Sequence, residues 1–175
     1  SIVSAGHEHD GEVPTDLELA RIVAELAKYS SGDLEPTDLV CDPAAGSGNL
    51  ISAAIPTYNL LPTQIVVNDV NSKLLELLSL RIGLNYASTI SLRNSPAIYN
   101  RNIADIEPLF FNDVKVVVMN PPFSAGINCV ARKQPMYRTI KRLTGSDAKT
   151  SIGQMSLEAV FLELLIELVQ PGTTI

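Results

Sequence analysis

A glycine-rich turn, set between a short apolar strand candidate and the start of a helix, constrains this chain more than any other feature. Thr37-Asp38-Leu39-Val40-Cys41 has the make-up of a buried strand, Asp42-Pro43-Ala44-Ala45-Gly46-Ser47-Gly48 follows it, and Asn49-Leu50-Ile51-Ser52-Ala53-Ala54-Ile55 opens a helix. Strand, glycine turn, helix is how open α/β sheets present a nucleotide-type ligand to the carboxyl end of a strand. Gly46 and Gly48 permit positive φ and close approach of backbone to a ligand. Two details narrow the ligand. Ile51 stands where a dinucleotide fingerprint has its third glycine, and no Gly-Lys-Ser/Thr follows, so the loop matches neither a dinucleotide fingerprint nor a P-loop. Asp42 would repel phosphates but can hold a cationic or hydroxyl-bearing ligand.

The same alternation continues downstream. Gln64-Ile65-Val66-Val67-Asn68 reads as a second strand ending in Asp69, about twenty residues past the glycine loop, where an acid is placed to bind ribose hydroxyls. Asp69 also suits a helix N-cap, since Asn71-Ser72-Lys73-Leu74-Leu75-Glu76 opens a helix. Both roles hold together if Asn71 or Ser72 is the cap. A third strand near Ala97-Ile98-Tyr99-Asn100 closes on Asn102-Ile103-Ala104-Asp105-Ile106. Alone, Asp105 is a loop acid beside Pro108; beside the other two motifs it is expected to accept from an exocyclic amine, with Ile106 packed on a ring.

A fourth strand, Val114-Lys115-Val116-Val117-Val118-Met119, delivers Asn120-Pro121-Pro122-Phe123 to the same edge. The Asn side-chain oxygen and a neighbouring carbonyl can accept from an NH2 group. The prolines stiffen the backbone and remove competing N–H donors, and Phe123 offers a ring face to a flat base. Pro-Pro is also an ordinary strand stop, and Phe123 an ordinary core residue; the glycine loop upstream favours the functional interpretation.

Alternating strands and helices predict an α/β fold, a doubly wound and mainly parallel sheet with helices on both faces. Thr15-Asp16-Leu17-Glu18 predicts a capping box for a helix running to about Ser30, stopped by Gly32, with Leu19, Ile22, Val23 and Leu26 on its apolar face. Helices are also expected over about Asn71–Tyr86 and Ser156–Leu168, and Thr173-Thr174-Ile175 reads as a further strand opening. The 175 residues, 46% hydrophobic, suffice for one domain with a core. Residues 1–12 read as an acidic tail and 13–175 as one partial domain. No run of about 18 apolar residues and no leader occur, which implies a cytoplasmic chain without membrane contact. Cys41 and Cys129 suggest neither disulfides nor a metal cluster, and His7 and His9 belong to the tail. The net charge of −6 argues against nucleic-acid binding until its distribution is read. Residues 124–153 hold Arg132, Lys133, Arg138, Lys141, Arg142 and Lys149 against Asp147 alone, a local +5. This segment is expected to be a basic loop that grips a phosphate backbone.

Taken together, the motifs resemble those of the S-adenosylmethionine-dependent DNA adenine-N6 methyltransferases. Asp42-Pro43-Ala44-Ala45-Gly46-Ser47-Gly48-Asn49-Leu50 is similar to that family's cofactor loop, Asn120-Pro121-Pro122-Phe123 to its catalytic tetrapeptide, and Gly11-Glu12-Val13-Pro14-Thr15-Asp16 to its additional cofactor segment, with Asp16 in place of the usual Pro. The order of motifs is that of the γ class, found in type I modification subunits and fused restriction-modification enzymes. The resemblance implies a Rossmann-like methyltransferase fold and transfer of a methyl group from S-adenosylmethionine to N6 of a flipped-out adenine in DNA. It assigns Asn120, Pro121, Pro122 and Phe123 to catalysis, and Thr15, Asp42, Pro43, Ala44, Gly46, Gly48, Asn49, Asp69, Val70, Asp105 and Ile106 to the cofactor. It implies DNA as partner, with specificity and restriction subunits or domains, and a longer protein carrying a target-recognition domain that these residues lack. The alternatives are transfer to another NH2 group, guanine N2 in RNA or a protein glutamine, and a non-catalytic cofactor-binding scaffold.

Overall fold

The computed structural model describes residues 14–87, 91, 94–123, 128–153 and 155–175. The expected acidic tail, its two histidines, Gly11–Val13 and the start of the basic segment (124–127) lie outside the described residues.

Four short strands, β1 (Leu39–Asp42), β2 (Ile65–Asn68), β3 (Ala97–Tyr99) and β4 (Val114–Val117), form one sheet in the order β3-β2-β1-β4. Every pairing is parallel. The order reverses between β1 and β4, so the crevice at their carboxyl ends is the topological switch point where such sheets bind ligands. Side chains alternate between two apolar layers, as the two-residue period of a strand requires. Val40, Ile65, Val67 and Val116 face the layer beneath α1 (Leu17–Ser31), α2 (Asn49–Tyr58) and α3 (Ser72–Asn85). Cys41, Val66, Val114 and Val117 face the layer beneath α4 (Asn128–Thr144) and α5 (Leu157–Leu168). The expected α/β architecture with helices on both faces is what the chain adopts. Thr174 pairs in parallel with Val116 on the outer side of β4, at the expected strand opening.

Three local expectations need correction. The cap of α1 is Asp16, whose Oδ1 accepts from the backbone N–H groups of Glu18 (2.8 Å) and Leu19 (3.3 Å), and not Thr15. The face of α1 turned to the core is built from Ala20 and Ala24, while Leu19, Ile22 and Leu26 are 51%, 51% and 61% exposed. Alanines let α1 lie close against α2, and periodicity that scores large side chains points to the wrong face. Finally, residues 128–144 of the basic segment form α4, not a loop. Cys129, Met136 and Ile140 are buried beneath it, and its Thr139 hydroxyl donates to the carbonyl of Ala104 (2.7 Å). Pro135 and the charge run disguise the helix; its thin apolar seam is sufficient because α5 and the sheet cover it. Two of the positive charges are matched by carboxylates, Lys141 by Asp147 (2.8 Å) and Arg142 by Glu107 (2.9 Å).

Candidate active site

Asp42 ends β1 buried, and its Oδ1 accepts from the backbone N–H of Ala44 (3.2 Å), which turns the chain into the glycine loop. Gly46 and Gly48 both have positive φ, 51° and 80°. They serve different ends. A Cβ on Gly46 would meet nothing within 4 Å, whereas one on Gly48 would lie 2.0 Å from Leu78 Cδ1. Gly46 leaves room at the cavity, and Gly48 lets α2 start against α3.

Asp69, at the end of β2, is 9% exposed. One carboxylate oxygen accepts from Gly46 N (2.7 Å) and the other from Asn71 N (2.8 Å). Asn71 is the cap of α3, with Oδ1 facing Lys73 N (3.1 Å) and Leu74 N (3.4 Å). Asp69 thereby ties the glycine loop to the second turn while keeping lone pairs available, since each carboxylate oxygen has two.

Asn68 is the junction that sequence reasoning missed. It is 1% exposed. Its Nδ2 donates to the carbonyls of Pro43 (3.1 Å) and Arg101 (3.0 Å), and its Oδ1 accepts from Arg101 N (3.1 Å). One side chain thus joins the loops that follow β1, β2 and β3. The only available signal was an Asn in an otherwise apolar strand, where a buried amide must find partners.

These loops surround a cavity of about 620 Å³. Of the expected cofactor residues, Thr15, Asp42, Pro43, Ala44, Gly46, Asn49, Asp69 and Val70 line it, together with Asn120, Pro121 and Pro122 of the strand-end tetrapeptide. Gly48, Phe123, Asp105 and Ile106 are not among the lining residues. Phe123 is 41% exposed at the edge of the described segment. Asn102 caps a single 3-10 turn, Ile103–Asp105, which carries Asp105 outward and buries Ile106 in the core at 1% exposure. Arg101, Asn102 and Ile103, which precede them, line the cavity. Met136 of α4 and Leu157 and Phe161 of α5 add apolar wall, and Arg132 of α4 adds a positive charge.

Burial raises the Asp42 carboxyl from its ordinary 3.8 to about 8; the Ala44 N–H opposes the shift, and the neighbouring Asp69 adds to it. The folded chain therefore holds a proton that the unfolded chain releases between about pH 4 and 8, so this group lowers stability as pH rises through that window. A cation placed against Asp42 reverses the effect. Among the described residues, no group of three or more His, Cys, Asp or Glu is arranged to hold a metal ion, and no helix is long and apolar enough to cross a membrane.

A cavity at the switch point, walled by a glycine loop, two strand-end carboxylates and an Asn-Pro-Pro turn, defines a Rossmann-like methyltransferase fold. Solved structures agree. The type IIG restriction endonuclease BpuSI matches 96% of the chain at 41% identity with a TM-score of 0.89. The type I restriction-modification methyltransferase subunit of Streptococcus thermophilus matches 94% at 20% identity and a TM-score of 0.64, and the type I restriction enzyme EcoKI M protein matches 95% at 19% and 0.58. The chain is thus similar to one part of that restriction endonuclease and shares the fold of the two modification proteins. It spans 20% of the length of BpuSI and 33% of each of the other two. No protein-family model and no curated protein matches it.

Proposed function

We propose that this chain is the methyl-transferring part of a restriction-modification enzyme, and that it binds S-adenosylmethionine and methylates N6 of an adenine flipped out of DNA. The observation that carries this is the single cavity holding Asp42, Gly46, Asp69 and Asn120-Pro121-Pro122 together. Its make-up fits the cofactor. Buried Asp42 suits a cationic group, Asp69 suits ribose hydroxyls, Gly46 leaves space, and Ile103, Leu157 and Phe161 offer apolar surface for a purine. When bound, the cofactor supplies an activated methyl group.

The chain's own residues then orient the acceptor. Asn120 Oδ1 and the Pro121 carbonyl accept the two N–H groups of the target amine, which draws its lone pair out of conjugation with the ring. Phe123, exposed beyond the prolines, is free to stack on the extruded base, offsetting part of the few kcal/mol that flipping costs. Catalysis is then chiefly positioning and electrostatic matching, and no general base is demanded. Arg132 at the cavity wall and exposed Arg138 on α4 place positive charge on the side from which DNA phosphates would approach. Specificity and restriction subunits or domains would supply site selection, in a cytoplasmic setting where DNA is reached.

The direct test incubates the complete protein with DNA and cofactor carrying a labelled methyl group. Label in N6-methyladenine is the expected result; label in cytosine, RNA or protein, or none at all, overturns the proposal. A pH series tests the role of Asp42. If the ligand requires the ionised carboxylate, affinity should rise by up to about tenfold per pH unit between about pH 6 and 8 and level off above. Asp42→Asn should bind weakly and lack that rise. Calorimetric profiles of equal slope in the two proteins would remove Asp42 from the binding role.

A further inference from the structure

Arg81 lies on α3, outside the cavity and outside every motif in the sequence, yet it reaches two of the elements that wall the site. Its Nη1 donates to the Ser47 carbonyl (2.7 Å) and to Asn49 Oδ1 (2.6 Å). Asn49, in turn, donates from Nδ2 to the Thr15 carbonyl (2.6 Å). Thr15, Ser47 and Asn49 all line the cavity. The chain of contacts therefore runs from α3, through the start of α2, to the segment that enters α1. Leu78, one turn before Arg81, is the side chain against which Gly48 is closed, so α3 abuts the loop at Gly48 as well.

Chemistry fixes the direction of this relay. A guanidinium can only donate, so it holds the carboxamide oxygen of Asn49 and leaves the NH2 group to face Thr15. Without Arg81 the amide is free to reverse, which would set its oxygen against the Thr15 carbonyl. Both bonds from Arg81 are charge-assisted and therefore stronger than neutral ones.

We infer that Arg81 is a positioning residue that acts through Asn49 to hold Thr15 and the segment around it over the cavity. This inference rests on the cavity being the S-adenosylmethionine site. Arg81 touches no ligand itself; it fixes the wall that the ligand meets.

The test compares Arg81→Met, Arg81→Lys and Asn49→Asp in the full-length protein with two readouts. The first is hydrogen exchange across residues 15–20 without ligand; the second is affinity for S-adenosylhomocysteine. Asn49→Asp keeps an acceptor for Arg81 but places oxygen against the Thr15 carbonyl. If Arg81 merely braces α3, residues 15–20 should exchange normally in Arg81→Met, unlike in Asn49→Asp. On the relay it should behave like Arg81→Met, with faster exchange at residues 15–20 and affinity reduced by about tenfold, the loss expected for a hydrogen bond to a charged group. Arg81→Lys, which keeps the charge and one reach, should recover part of both. Exchange and affinity unchanged in Arg81→Met, or normal values in Asn49→Asp, overturn the relay. Because exchange is read without ligand, it reports on the relay even if wild-type protein fails to bind S-adenosylhomocysteine, an outcome that counts against the cofactor assignment instead.

Discussion

Asn120→Ala should slow methyl transfer by on the order of 10²–10³ while leaving the protein folded and able to bind S-adenosylmethionine. Asn120 stands beyond β4 at the cavity wall, next to two prolines that present no N–H of their own. If its side-chain oxygen accepts from the target amine, losing it removes an interaction that matters most as the nitrogen becomes pyramidal. Loss of one such preorganised partner costs on the order of 10²–10³ in turnover. Because the change lies on the acceptor side, cofactor affinity should shift little. A single-turnover assay on adenine-containing DNA, paired with calorimetry, separates the two. Transfer at the wild-type rate in Asn120→Ala would move the chemistry elsewhere in the cavity.

The two glycines of the loop should separate folding from binding. Gly48→Ala meets two penalties together. At φ 80° an L residue is strained, by roughly 1–2 kcal/mol. Its Cβ would also lie 2.0 Å from Leu78 Cδ1, and Leu78 is fully buried, so overpacking adds about 1–3 kcal/mol. Against a typical total of about 5–15 kcal/mol, that is a large share of stability. The denaturation midpoint should fall sharply. Combining Gly48→Ala with Leu78→Ala should cost less than the two single losses added together, because the second change removes the clash. Gly46→Trp should behave in the opposite way. Its φ of 51° carries some strain, but the new side chain enters open space, so the protein should fold and lose S-adenosylmethionine binding. A Gly46→Trp variant of normal affinity would clear the glycine loop of its assigned role; a Gly48→Ala variant of normal stability would mean that α3 yields more easily than its buried Leu78 suggests.

The sequence was most legible where the backbone does something local. Strand, glycine turn and helix could be read from residues 39–55 because apolar content and two glycines each demand that geometry, and Asp69 and Asn120 followed from ending apolar runs. Legibility failed where tertiary packing overrides a local pattern. In α1 the small Ala20 and Ala24 face the core, and large residues stay outside. In α4 a proline and six nearby charges concealed a helix whose support comes from α5 and the sheet. After β3, a 3-10 turn of three residues, which periodicity does not reveal, brings Asn102 and Ile103 to the cavity. Arg81 carried no signal whatever: its partners lie 32 and 34 positions away, and only the fold brings them within reach.

The amide of Asn68 bears on how far such a sequence can drift. Two donors and one acceptor on a stem this short are the property of a single residue type. Aspartate has nearly the same shape, but it would turn an oxygen towards the carbonyls of Pro43 and Arg101. Glutamine carries the same groups one methylene further, which moves them off the carbonyls of Pro43 and Arg101. The loops after β1, β2 and β3 therefore hang on one side chain, and a change at Asn68 should disturb all three at once.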